Sequence, residues 1–112
     1  MENTIPEGKV ICSGFLKKRS KYLGLWKTRF IILSTNYIFA FTGVEKDADC
    51  TMALKLNLIE SVKNADIEIG KENTFVLLVN NKKYYFHCFS KNPNIEREKW
   101  INHIENQINN II

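Results

Sequence analysis

The 112-residue sequence predicts a mainly β fold, with antiparallel strands in a strongly bent sheet or partly open barrel capped by one C-terminal α-helix. Three observations predict it. Met52, Leu54, Leu56 and Leu58 alternate with Ala53, Lys55 and Asn57, the period of a half-buried strand. Apolar runs flank Asn80-Asn81, a pair that tolerates positive φ and favours a tight hairpin. After Phe89 the period changes. Trp100, Ile101, Ile104, Ile108 and Ile111 recur at helical spacing and form one apolar face.

The elements follow in order. Residues 9–19 form a first strand, with Val10, Ile11 and Cys12 leading into Phe15 and Leu16. A loop over 20–25 contains Gly24, and residues 26–33, rich in Ile and aromatics, make a second strand. Ser34-Thr35-Asn36 is a turn, 37–41 a third strand and the polar stretch 42–49 a loop. Residues 52–58 make the alternating strand described above and 60–64 a shorter one. The segment 65–73 reads as an exposed connection, although Ile67 and Ile69 alternate within it. Strands at 74–79 and 83–89 flank the Asn pair. Asn92 suits a helix cap and Pro93 the first helical position, where a missing N–H costs nothing. Glu96 and Glu98 complement the positive end of the helix dipole. About seven strands result, and so short a barrel needs one end plugged, which the helix supplies.

A chain of this length suits one domain spanning 1–112, with its core at about 10–108. No apolar run approaches the ~20 residues of a membrane-spanning helix. MENTIPEGKV lacks a basic start followed by an apolar stretch, so no signal peptide is expected. Glu2 in place of Gly, and no terminal prenylation box, imply no lipid anchor. Cys12, Cys50 and Cys88 are odd in number and widely spaced, which favours reduced thiols in a cytoplasmic setting over a disulfide framework.

Charge is unevenly placed. Between Glu7 and Glu45 there is no acidic residue, yet Lys9, Lys17, Lys18, Arg19, Lys21, Lys27 and Arg29 all occur there. The net charge of +4 therefore understates a basic N-terminal third, which points to a polyanionic partner. A solvated basic face is the plain alternative. Nucleic acid is a rival polyanion, but the cations gather at one hairpin rather than along a groove. No catalytic set is visible. His87 and His103 are ordinary packed or surface histidines, and Cys88 beside His87 gives no metal-ligand spacing. Neither a Gly-rich phosphate loop nor a nucleophile elbow occurs, so neither enzyme activity, a cofactor nor a metal is expected.

Gly14-Phe15-Leu16-Lys17-Lys18, then Trp26-Lys27-Thr28-Arg29-Phe30 with Ile32-Leu33, then EREKWINHI over 96–104 with Trp100, occur in that order. This set resembles the pleckstrin homology (PH) domain family over about residues 10–108. The resemblance implies a PH-like seven-stranded, partly open barrel with a C-terminal helix. It also implies a signalling module that meets lipids, proteins or both. Lipid-binding members pair a first-strand Lys with Lys/Arg-x-Arg-aromatic on the second strand, and Lys18 with Lys27-x-Arg29-Phe30 satisfies that pattern. By the same resemblance, a third-strand donor common in tight binders corresponds to Ala40, which donates nothing.

The chemistry stands beside the resemblance. Lys27 and Arg29 are two apart on a strand, so they share a face. If the first two strands pair, Lys18 comes across from them. Three cations then converge where phosphomonoesters offer charge and acceptor oxygens, with Arg29 presenting a two-pronged fork. Lys17, Arg19 and Lys21 are supporting cations. Tyr22 and Leu23 in the loop are candidates for the membrane interface, at roughly 1.5–3 kcal/mol per buried leucine. Folding back over the sheet is the alternative for both. Glu45, Asp47 and Asp49 against Lys46 in the 42–50 loop would oppose a polyphosphate, so moderate affinity is expected. The expected function is a non-enzymatic, peripherally recruited membrane-targeting module binding anionic phospholipid, with a phosphoinositide headgroup foremost. A protein-interaction scaffold with weak or no lipid specificity is the alternative.

Overall fold

The computed structural model describes residues 8–21 and 24–110; Ile111, assigned above to the helix face, lies outside them. Seven strands form one antiparallel sheet in the order β4-β3-β2-β1-β7-β6-β5. They are β1 (Val10–Arg19), β2 (Trp26–Ser34), β3 (Tyr37–Phe41), β4 (Cys50–Lys55), β5 (Ile59–Asn64), β6 (Thr74–Val79) and β7 (Lys82–His87). A short helix α1 (Asp66–Ile69) precedes β6, and α2 (Pro93–Asn109) closes the chain.

Alternation sets the two faces. Leu16, Ile31, Leu33, Ile38, Phe75, Leu77 and Phe86 all point inward and are fully buried. Phe75 and Phe86 stack with centroids 5.1 Å apart. Trp100, Ile101 and Ile104 of α2 join this core, and half-buried Ile108 packs against it. Each such side chain contributes roughly 1.5–3 kcal/mol when withdrawn from water.

Turn chemistry fixes the registers. The Ser34 hydroxyl accepts the amides of Asn36 at 3.2 Å and Tyr37 at 2.9 Å, closing the β2–β3 turn. Asn80 and Asn81 take φ of 51° and 65°, the doubly left-handed pair that matches hairpin twist. By the same antiparallel alternation, the β1–β2, β3–β4 and β6–β7 connections share one end of the barrel, and α2 follows β7 from the other.

Four local expectations change. The strand expected over 52–58 stops at Lys55 and tightens into a single 3₁₀ turn, Leu56–Leu58. The Leu56 amide donates to Asn36 O at 2.9 Å and buries Leu56, while Leu58 turns out to solvent. The 65–73 connection contains α1, held because Asp66 accepts the Thr74 amide at 2.9 Å and Arg97 at 2.6 Å. The last strand is β7, Lys82–His87, so it begins one residue earlier and ends two earlier than expected. Asn92 precedes α2, but its side chain makes no capping hydrogen bond; its carbonyl accepts the Glu96 amide at 3.0 Å.

Candidate functional site

The β1–β2 ladder places Lys18 directly opposite Lys27, and Arg29 opposite Leu16. Residues facing each other across an antiparallel pair project to the same side. Lys18, Lys27 and Arg29 therefore share the inward face at the end of the barrel away from α2, Arg29 level with the buried Leu16 and the two lysines one step beyond it. Enclosure and neighbouring charge both act on Lys18. Burial, then the charges of Arg29 and Lys21, hold its ammonium below the usual lysine range. The Lys18 ammonium also stands 5.7 Å over the Tyr84 ring. Arg29 donates to the carbonyl of Thr28 at 2.9 Å, which parks one arm of its fork on the backbone.

The supporting cations divide. Lys17 and Arg19 point to the opposite, outward face, where Lys17 lies 5.5 Å over Phe89 and Arg19 5.8 Å over Tyr85. Lys21 is exposed in the β1–β2 loop on the Lys18 side. That loop is pinched by Ser20, whose amide donates to Leu25 O at 2.6 Å and whose hydroxyl accepts the Leu25 amide at 3.2 Å. Gly24 takes φ of 65°, and a side chain there would meet the Arg19 guanidinium at 3.2 Å. Tyr22 and Leu23 lie outside the described residues. Leu25 is 51% exposed and Val44, in the β3–β4 loop at the same end, 61%.

Beside the three inward cations opens a cleft of about 470 Å³ where β1 and β7 diverge. Lys18, Arg19, Ser20, Lys21 and Gly24 line one wall, and Lys82, Lys83, Tyr84 and Tyr85 the other. Glu68 of α1 pairs with Lys83 at 2.8 Å and accepts a hydrogen bond from the Tyr85 hydroxyl, so Lys83 is already neutralised while Lys18 and Lys21 carry no carboxylate partner among the described residues. Lys82 and Lys83 were not singled out from the sequence. Their signal was the Asn80-Asn81 turn, which puts the next two residues at the same barrel end as the basic hairpin.

Ala40 lies on the same inward face as the cations and brings no donor to it. It faces Ile31 and is fully buried, and β3 ends one residue further on at Phe41, just before Thr42. Thr42 accepts the Asp49 amide at 3.0 Å through its hydroxyl. Trp26 is a half-buried strand residue, edge-on to His87 at 6.0 Å with Lys71 at 5.7 Å over its ring. Burial, then the nearby Lys71 charge, keeps His87 below the usual imidazole range.

Comparison with known proteins decides the family. The PH domain family model matches residues 10–109. The chain belongs to the PH domain family. None of the curated proteins matches it. Among solved structures, the C-terminal PH domain of pleckstrin superposes with a TM-score of 0.76 at 23% identity, covering 91% of this chain and 99% of that one. The same pleckstrin domain in complex with D-myo-Ins(1,2,3,5,6)P5 gives 0.73 at 25% identity, covering 90% and 97%. The Slm1 PH domain in complex with phosphoserine gives 0.75 at 23% identity, covering 89% and 96%. PH domains are typically non-catalytic binding modules, and the Slm1 PH domain, like that of pleckstrin, also has a solved complex with an inositol phosphate, D-myo-inositol-4-phosphate. No helix among the described residues is long and apolar enough to cross a membrane.

Proposed function

We propose that this PH domain is a non-enzymatic membrane-targeting module that binds anionic phospholipid through a phosphoinositide headgroup at the β1–β2 hairpin. One observation carries the proposal: Lys18 opposes Lys27 with Arg29 beside them on the same face, and Lys18 lacks a carboxylate partner among the described residues. Cations held together at an electrostatic cost are relieved by a polyanion. That inositol phosphates occupy the pleckstrin and Slm1 domains supports the same ligand chemistry here. Leu25, 51% exposed beside the site, together with Tyr22 and Leu23 from the sequence, supplies the apolar contact with lipid.

A second reading places the phosphate in the adjoining cleft, between Lys18 and Lys21 on one side and Lys82 on the other. It is favoured by the 470 Å³ of space there. Liposome co-sedimentation over a phosphoinositide panel separates the two. Arg29→Ala and Lys27→Ala are expected to abolish preference among headgroups, whereas Lys82→Ala does so only if the cleft is the site. Equal weak binding to every anionic lipid, unchanged in Arg29→Ala and in Lys82→Ala, overturns both and leaves the protein-interaction scaffold. Attachment that survives several hundred millimolar salt in the native chain, but not in Leu25→Asp, identifies the apolar contact, because screening removes purely ionic attachment.

A further inference from the structure

The outward face of the first strands carries a stripe of aromatics that the headgroup site does not use. Phe15 and Phe30 meet edge-on at 5.1 Å, and Phe30 pairs with Phe41 across β2–β3. From there the stripe turns along β3, with Phe41–Phe39 at 5.9 Å and Phe39–Tyr37 stacked at 5.3 Å. At its β1 end, Phe89 extends it beneath Lys17. These rings sit on the face opposite the core, in contact with one another. Phe15 is 45% and Phe89 44% exposed, and Phe30, Phe39, Phe41 and Tyr37 are half-buried. A contiguous apolar patch of this kind on a sheet face marks an interaction surface.

Charge states what fits it. Lys17 stands at one end of the stripe and Lys55, opposite Tyr37, at the other. The outward positions of β1 to β4 include no Asp or Glu. A second copy would bring like charges together at both ends, and that is costly. A segment with acids at its ends and apolar side chains between them is complementary in both respects. The two lysines are separated by three strand spacings and six residues along β2. With ~4.8 Å per strand and ~3.3 Å per residue this is roughly 25 Å, the reach of about eight extended residues.

We propose that the Phe15–Phe30–Phe41–Phe39–Tyr37 face docks an acid-flanked apolar peptide segment of a protein partner, its carboxylates meeting Lys17 and Lys55. The site is separate from the headgroup face, so this PH domain is able to hold a lipid and a protein at once.

The test is an NMR titration of the intact chain with a synthetic eight-residue peptide, Asp-Glu at each end of a Leu-Trp-Leu-Phe centre, beside a twin with Lys-Lys ends. Expected are amide shifts at Phe15, Phe30 and Phe39, and binding of the Lys twin at least ~10-fold weaker. Phe15→Ser should weaken the acidic peptide by about 10-fold and Lys55→Glu by about threefold. Vesicle binding should be unchanged in both variants. Lys55→Glu, at an exposed position, serves alone if Phe15→Ser does not fold. The proposal is overturned by equal binding of the twins, by shifts confined to Lys18 and Lys27, or by indifference to both variants. It is also overturned if Phe15→Ser dissolves a dimer of the free chain or removes vesicle binding, since the face then covers a second copy or a membrane.

Discussion

Lys18 and Lys27 face each other directly across the β1–β2 ladder, two like charges paired on one face of the sheet. Such an arrangement opposes folding while it prepares an anion site. Lys27→Gln should therefore stabilise the free domain, on the order of 0.5 kcal/mol, and weaken headgroup binding at the same time. Thermal unfolding and vesicle binding measured on one preparation check this. A variant that loses both stability and binding would contradict it.

Protonation of Lys18 gives a second expectation. Its folded pKa is depressed, so the unfolded chain holds that proton more tightly, and the cost to folding is full below the folded value. Stability contributed at this position should rise with pH between the depressed value and 10.5. A bound phosphate restores the charged form, so affinity for a fully ionised headgroup should fall as pH climbs through the free-state value. Lys18→Arg, charged throughout, should flatten that fall. Carbon NMR of the Lys18 side chain, with and without inositol phosphate, reads the shift directly.

Asp66 links α1 to α2 through Arg97 at 2.6 Å. Burial raises its pKa, but hydrogen bonds from the Thr74 amide, Arg97 and Asn73 outweigh burial and hold the carboxyl below its ordinary value. Its stabilisation is present above the unfolded carboxyl pKa and lost as pH falls through the lower folded one. Asp66→Asn should cost about 1–2 kcal/mol at neutral pH and show a shallower loss of stability in acid. Denaturant melts at neutral and acid pH test both halves.

Left-handed backbone at Asn80 and Asn81 makes the β6–β7 turn selective. Asn81→Val, branched at Cβ with φ of 65°, should destabilise by about 1–2 kcal/mol, and Asn81→Gly should be close to neutral. Because the same turn sets the position of Lys82, the valine variant should also disturb the cleft, seen as shifts at Tyr84 and Tyr85.

Thiol chemistry distinguishes the cysteines. Burial pushes Cys88 up to about 12 and Cys12 up to about 11, while Cys50 is exposed. Alkylation of the native protein at neutral pH should modify Cys50 first and leave Cys88 intact until unfolding. Mass spectrometry of a time course decides.

Much of the fold is legible where local chemistry is decisive. The Asn pair, the Pro93 start and the Trp100–Ile104 face each admit one backbone solution, and all were found. The strand over 52–58 was overextended because Leu56 and Leu58 keep a two-residue period in sequence. The Leu56 amide still follows the β3–β4 register onto the Asn36 carbonyl, but the chain then tightens into a 3₁₀ turn that buries Leu56 and exposes Leu58. The inward cations were legible because alternation and one hairpin suffice to gather them. Lys17 and Arg19 had the same charge but the other parity, and their partners, Tyr85 on β7 and Phe89 just past its end, lie far along the sequence. Lys82 and the Phe15–Tyr37 stripe needed the tertiary arrangement, since neither has a local pattern unlike that of any half-buried strand.

The two walls of the basic cleft meet through only a short backbone seam, Lys17 with His87 and Lys18 with Phe86. Beyond it, width is set by Lys18 against Tyr84 and Arg19 against Tyr85. Contacts of that sort contribute on the order of 0.5–1 kcal/mol each at exposed sites, little more than thermal energy. Such a mouth stretches at small cost, and an elastic mouth is a poor gauge: it sorts its guests by charge far better than by size.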